Sequence, residues 1–222
     1  MERAAVHKAS GLVWAAFLLL CLIAAAAAVR RILVLVLPPV VEPVPQMASL
    51  NAAFAAHKVL TLWHIVPALL FVVLLPFWFL RVVRKHPDAH RRVMYALVIL
   101  GAITGVTALL LSLHPVGGVN EAAASILYDS LFLFSLGRAW VLFRRGEFAL
   151  HRTWMIRAIA VLLGIATTRP VMGVFFATER LTHLQPQQFF GTAFWIGFTA
   201  TYIAGEAYLR SHPIESVGVE AR

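Results

Sequence analysis

Cysteine, charge and the common catalytic motifs are scarce or missing in this chain. One cysteine, Cys21, stands among 222 residues, so no intrachain disulfide forms and a disulfide-stapled scaffold is excluded. Charged residues make up 13% of the chain, against about 25% in a soluble domain. Hydrophobic residues make up 61%, which excludes disorder and a soluble enzyme core together. Acidic residues are few, 10 against 19 lysines and arginines, for a net charge of +9. Such an excess points to nucleic acid in a soluble protein. Here the arginines sit in short runs between apolar stretches, where they orient helices in a bilayer, so no nucleic-acid partner is expected. The patterns GxxxxGK[ST], HExxH, CxxC and GxSxG are all absent. Phosphate hydrolysis, zinc proteolysis, dithiol chemistry and hydrolase chemistry therefore lack support.

What the chain has in abundance is length of apolar run, with a mean hydropathy of +0.83. About 20 apolar residues span a hydrocarbon core, and six stretches qualify: 11–29, 54–80, 93–113, 122–143, 153–177 and 188–209. Little chain remains between them, so residues 1–222 read as one all-α polytopic membrane bundle of six antiparallel helices. Its surroundings are the lipid bilayer. Lysine and arginine crowd the second and fourth connections (Arg81, Arg84, Lys85, Arg91, Arg92; Arg144, Arg145, Arg152, Arg157), while the third has none. By the positive-inside rule those loops and both termini are cytoplasmic. Arg30 and Arg31 oppose this, because they follow the first stretch on its outer side. The first stretch also has the basic start and apolar run of a signal peptide, and is expected to stay as an anchor.

Ionisable residues inside a membrane span cost several kcal/mol and face the bundle interior. Here they fall into two layers. His57, His64, His114, Asp129 and Arg169 lie on the outer side, and His90, Arg138, His151, Arg157 and Glu206 on the inner. Neutral imidazole ligates haem iron or a transition metal, and helical bundles place such sites between facing helices. His90 and His151 open two different helices at one depth, and His64 and His114 form a second pair at another. The geometry suits bis-histidine haem b, with His90 and His151 as the metal ligands to test first. Helix-end histidines also sit comfortably among headgroups, and that plain role stands beside the ligand role for each of them. Arg169 lies about 18 Å beyond Arg157 by helical rise. It snorkels outward, pairs with Asp129, or binds an anionic group such as a haem propionate. Glu206 is expected to pair with a cytoplasmic arginine. The tryptophans read as interface anchors or packing, and Gly101 and Gly105 form a GxxxG that permits close helix approach.

Three segments carry a resemblance: WHIVPALLFVVLLPFWF (Trp63 to Phe79), HPDAHRRVMYALVILGAITG (His86 to Gly105) and RRGEFALHRTWMIRAIAVLLGIATTRP (Arg144 to Pro170). Together they resemble a bacterial family of predicted multi-pass membrane proteins of unknown function, whose most specific mark is an H-R-x-W-M-I-R block. The pattern falls here on His64, His90, Arg91, His151, Arg152, Trp154, Met155, Arg157 and Arg169. Where that family often reads Gly-Pro-Phe-Gln-Phe, this chain reads Leu75-Pro76-Phe77-Trp78-Phe79, without the glycine and glutamine. HKVLTLWHIVPALL and HRRVMYALVILGAITGV are also similar to small histidine-rich membrane proteins implicated in maturing haem-copper oxidases. These resemblances imply a bacterial inner membrane and haem or respiratory-chain biology, with quinone or respiratory proteins as partners. The reading that results is a haem-binding redox or oxidase-assembly protein. A small-solute transporter or channel, motivated by Asp129 and Arg169, and an accessory subunit of a larger complex are its alternatives.

Overall fold

The computed structural model describes residues 2–37 and 47–212. The connection over residues 38–46 lies outside the described residues, as do the side chains of His7, Arg81 and Arg84. Among the described residues the fold is helical throughout: α1 (Glu2–Val36), α2 (Met47–Ala56), α3 (Lys58–Phe79), α4 (Arg81–Lys85), α5 (Pro87–Leu111), α6 (Gly118–Arg144), α7 (Phe148–Leu162), α8 (Gly164–Thr182) and α9 (Pro186–Ser211). Five segments are long and apolar enough to cross a membrane: Gly11–Val36, Lys58–Phe79, Pro87–Leu111, Gly118–Arg144 and the α7–α8 run Phe148–Thr182. The remaining long helix, α9, has 26 residues, but glycine, threonine and aromatic polar residues dilute its hydropathy.

Several boundaries differ from the sequence reading. α1 runs on to Val36, so Arg30 and Arg31 lie inside a helix rather than after one. The apolar run Ile32–Leu37 carries the helix past them, and Arg31 is buried at 8% exposure, so it serves packing and not topology. The expected 54–80 span breaks at His57, whose φ of −117° and ψ of 41° depart from helix between α2 and α3. The 153–177 span starts earlier, at Phe148, and has its boundary at Leu163, between α7 and α8.

α3 packs on α5, α6 on α7, and α8 on α9, with α1 against α3 and α9 against α6 and α7. The core is apolar and continuous, running through Phe71, Leu75, Met94, Leu97, Phe132, Leu136, Met155 and Ala158, each no more than 3% exposed. The GxxxG does what its small residues allow. A Cβ on Gly101 would lie 2.7 Å from Leu136 and 3.0 Å from Phe71, so α5 sits close to both α6 and α3. α8 and α9 approach closer still, with Gly197 against the backbone of Thr168 and Gly164. Most large apolar side chains outside this core, Leu12, Leu22, Val59, Ile99 and Leu181 among them, are exposed on the bundle's outer faces, as a lipid-facing surface requires.

Candidate functional site

Consider first the end of the bundle where α5 hands over to α6. A cavity of about 200 Å³ opens there, lined by His57, His64, His114, Asp129 and Arg169, the complete outer polar layer read from the sequence. Four stretches of chain position these groups. The break between α2 and α3 puts His57 at the mouth, and the end of α5 brings His114 over it. Their rings stack at 3.9 Å between centroids and 21° between planes. One helical turn and more into α3, His64 places Nδ1 3.0 Å from the carbonyl oxygen of Thr104 on α5. A carbonyl only accepts, so the Nδ1–H donates and Nε2 keeps its lone pair. Thr107 Oγ1 stands 3.3 Å from the same nitrogen, and its own hydroxyl donates to Ile103.

Asp129 comes from α6 and Arg169 from α8. The expected Asp129–Arg169 ion pair is not formed: among the described residues the ion pairs are Arg91–Asp88 and Arg157–Glu206. The physical reason is helix placement. α8 packs on α9 and α1 rather than across the cavity on α6, so shared depth does not bring the two charges into contact. Arg169 Nε is buried without a hydrogen-bond partner. Three further lining groups escaped the sequence reading. Arg31 reaches in from α1, its Nη1 donating to Asn51 Oδ1 at 2.5 Å and its guanidinium 4.2 Å from the centroid of the Phe54 ring. Glu121 accepts from the Gly117 N–H at 2.5 Å in the first turn of α6. Ser125 stands one turn further on, also facing the cavity. The signal for Arg31 was in the sequence, in the apolar run that follows it.

At the opposite end, where α6 hands over to α7, His90 and His151 flank the buried Trp78 of α3. Their ring centroids lie 6.3 and 6.0 Å from the indole. The two imidazoles are therefore parted by no more than the sum of those distances. α5 packs on α3 and α6, and α7 on α6 and α9, so Trp78 bridges the two histidines where helix adjacency would otherwise have been needed. His151 is 3% exposed. Its Nδ1–H donates to the carbonyl of Ala139 at 2.9 Å, and its Nε2 is buried without a hydrogen-bond partner. Arg157 is turned away to α9, where Glu206 takes Nε at 2.6 Å and Nη2 at 3.2 Å and Trp154 lies under the guanidinium at 4.7 Å. The partner expected for Glu206 is thus Arg157. Among the described residues no group of three or more His, Cys, Asp or Glu side chains gathers at metal-binding distance.

Five membrane-length apolar segments around buried ionisable groups define a multi-pass helical membrane protein. The chain belongs to the family described as predicted membrane protein (DUF2306), whose model matches residues 61–206. That match runs from the start of α3 to the last turns of α9 and takes in His64, His90, His114, Asp129, His151, Arg157 and Arg169. No curated protein and no solved structure matches the chain. None of these comparisons shows a likeness to oxidase-maturation proteins.

Proposed function

We propose that this protein binds a small molecule within the outer half of a bacterial inner membrane, in the cavity between α3, α5, α6 and α8. The observation that carries this reading is convergence. Ionisable side chains separated by over a hundred positions, from His57 to Arg169, line one cavity together with Arg31, Glu121, several hydroxyl side chains and apolar residues. A buried charge without a protein partner is costly and marks a functional place in a membrane helix. In this reading α9 is a sixth span, because a helix of 26 residues reaches about 39 Å at 1.5 Å per residue. Both termini then lie on the cytoplasmic side. The test is accessibility and occupancy together. Filling the cavity at its wall with Ala108→Phe abolishes retention of any small molecule recovered from the purified protein, with membrane insertion intact. Unaltered recovery from the filled variant defeats the reading.

Transport through the bundle draws less support, because Phe71, Leu97, Phe132, Leu136 and Ala158 separate the two polar ends with apolar packing. A second reading is favoured by His151. An imidazole whose Nδ1–H is fixed by a carbonyl, with Nε2 free of protein partners, has the outer hydrogen bond of a metal-bound histidine. His90 and His151 would hold haem b through its iron, which would supply one-electron redox chemistry at this end. In this structure the buried Trp78 indole stands 6.3 and 6.0 Å from the two imidazoles. Quinone and respiratory partners belong to this second reading. Its test is optical: a Soret band after haem-replete expression, lost in His90→Ala and in His151→Ala. Its absence from the wild-type protein removes haem b. The cavity at the other end is no alternative seat for haem. Its volume is close to the 150 Å³ that encloses benzene, and the His114 ring is stacked on His57.

A further inference from the structure

Arg138 departs from the rule that ionisable groups in a membrane span face the bundle interior. It is exposed on α6, on the stripe that also carries the exposed Phe134 and Val141, four positions before it and three after. Arg144 in the last turn follows six positions later, so Arg138 stands about 9 Å inside the end of the helix at 1.5 Å per residue. The 27 residues of α6 reach about 40 Å, against a hydrocarbon core of about 30 Å. Arg138 therefore falls near the edge of that core, within reach of lipid phosphates. Among the described residues it makes no hydrogen bond or ion pair. Its guanidinium stands 5.7 Å from the ring centroid of Trp154 on α7. Arg157 shares that indole at 4.7 Å, so the two Cζ atoms are parted by no more than the sum of those distances.

The acid beside this pair is already engaged. Glu206 gives both carboxylate oxygens to Arg157, at Nε and Nη2, which leaves Arg157 Nη1 and the whole Arg138 fork as donors. Two guanidiniums and one carboxylate leave an excess of one positive charge. A phosphate bridging two guanidiniums parts their Cζ atoms by about 8 Å, with N···O distances of about 2.8 Å. The exposed Arg138 stem has the freedom to set that spacing. The surroundings identify the source of the phosphate. Phe134 lies one turn deeper than Arg138 with its ring 5.4 Å from Trp154, and Ile203 lies three positions before Glu206 on α9. Both are exposed, and they offer a wall to acyl chains that a phosphate ion in water has no use for. A headgroup carrying an ammonium would bring a further cation to a site with one in excess, whereas phosphatidylglycerol brings one phosphodiester charge and neutral hydroxyls. We infer that the α6–α7 face binds one anionic phospholipid, its phosphate between Arg138 and Arg157 beside the Trp154 ring and its acyl chains on Phe134 and Ile203. This site lies at the opposite end of the bundle from the cavity and does not depend on what the cavity holds.

The experiment uses the full chain in detergent micelles, stripped of endogenous lipid, and native mass spectrometry with three probes: dioleoyl phosphatidylglycerol, dioleoyl phosphatidylcholine and inorganic phosphate. One firmly retained phosphatidylglycerol per chain is expected, with phosphatidylcholine held about tenfold more weakly and phosphate alone not retained. Arg138→Gln should weaken retention of phosphatidylglycerol about tenfold, the loss expected for hydrogen bonds to a charged group. Arg138→Lys should restore only part of it, because an ammonium lacks the planar fork. Arg138 is exposed, so both variants should keep the helical circular dichroism of the wild type. Arg145→Gln is the control for charge alone, since it removes another exposed arginine, seven positions further on at the C-cap of α6. It should change retention little. Equal losses in Arg138→Gln and Arg145→Gln would reveal a general attraction of anionic lipid to a cationic chain and overturn the site. Equal retention of the two lipids by the wild type, a test that needs no variant, overturns it as well. Displacement of phosphatidylglycerol by an equal concentration of inorganic phosphate would make the ligand a soluble anion and overturn the lipid assignment.

Discussion

Alanine at Gly197 should destabilise the fold where alanine at Gly137 does not, and the two together test the α8–α9 interface. The added Cβ at Gly197 would stand 2.5 Å from Thr168 Cγ2, 2.7 Å from its backbone nitrogen and 3.0 Å from the Gly164 carbonyl oxygen. A side chain can rotate out of such a clash, but two of these three atoms are backbone. Relief therefore requires α8 and α9 to part. Overpacking of this kind costs about 1–3 kcal/mol, and the backbone obstruction puts Gly197 toward the upper end. Alanine returns up to about 1 kcal/mol in helix propensity, which leaves a net loss of about 2 kcal/mol. Gly137 lies on α6 with nothing within 4 Å of its Cβ position, so Gly137→Ala keeps the propensity gain without a clash. The two variants should differ by about 2–3 kcal/mol in dodecyl sulfate titrations of the micelle-solubilised protein, followed by helical circular dichroism. Equal midpoints for the two variants would refute the argument, because the close approach would then not limit packing.

Other consequences are simpler. Gly105→Ala should cost less than Gly197→Ala, about 1 kcal/mol in the same titration, because its Cβ would meet the flexible Leu133 side chain at 2.5 and 2.7 Å and a Phe132 ring atom at 3.1 Å. Glu206→Gln should lower stability by about 1–2 kcal/mol. That figure is discounted from a fully buried pair because the Arg157 and Glu206 side chains are 26% and 21% exposed, and an unchanged midpoint would show the pair to be idle. Residues introduced as cysteine beside Gly117 and Arg145, in a Cys21→Ala background, should label from opposite sides of the membrane, since each terminates one end of the 27-residue α6. Labelling from one side would overturn α6 as a span.

The helices were legible because apolar runs of membrane length have few other uses. Their ends were less so. Residues 32–36 continue α1 past Arg30 and Arg31, and a rule that treats arginine pairs as loop markers cannot see that a buried arginine has found Asn51 and Phe54. Grouping by position along the helices was equally legible, because antiparallel neighbours place the start of one helix beside the end of the next. His57, His64, His114, Asp129 and Arg169 were grouped on that basis, and they share one cavity. What depth leaves open is rotation about each helix axis and the order of helices around the bundle. Asp129 and Arg169 stand at similar height and form no ion pair. Arg157 stands with the inner histidines in height, yet points to Glu206 on α9. Both outcomes depend on side-chain packing between elements far apart in sequence.

The separation of the two polar ends bears on how the molecule works. Phe71 and Phe132 meet edge-on at 6.1 Å in the middle of the bundle, and Leu75, Leu97, Leu136 and Ala158 pack around them at 0–2% exposure. An ion or polar solute crossing from Asp129 toward His151 would have to displace that layer and leave its own polar groups unpaired, at several kcal/mol in an apolar interior. Fixed donors and acceptors point the same way. His64 and His151 each commit Nδ1–H to a carbonyl of a packed neighbouring helix, Thr104 on α5 and Ala139 on α6, which locks ring orientation and tautomer at each end. Rings held in this way suit sites that keep a ligand in one geometry, and they are poorly suited to passing a solute from one side of the membrane to the other. The apolar layer and the two fixed rings therefore keep the polar groups of the two ends apart.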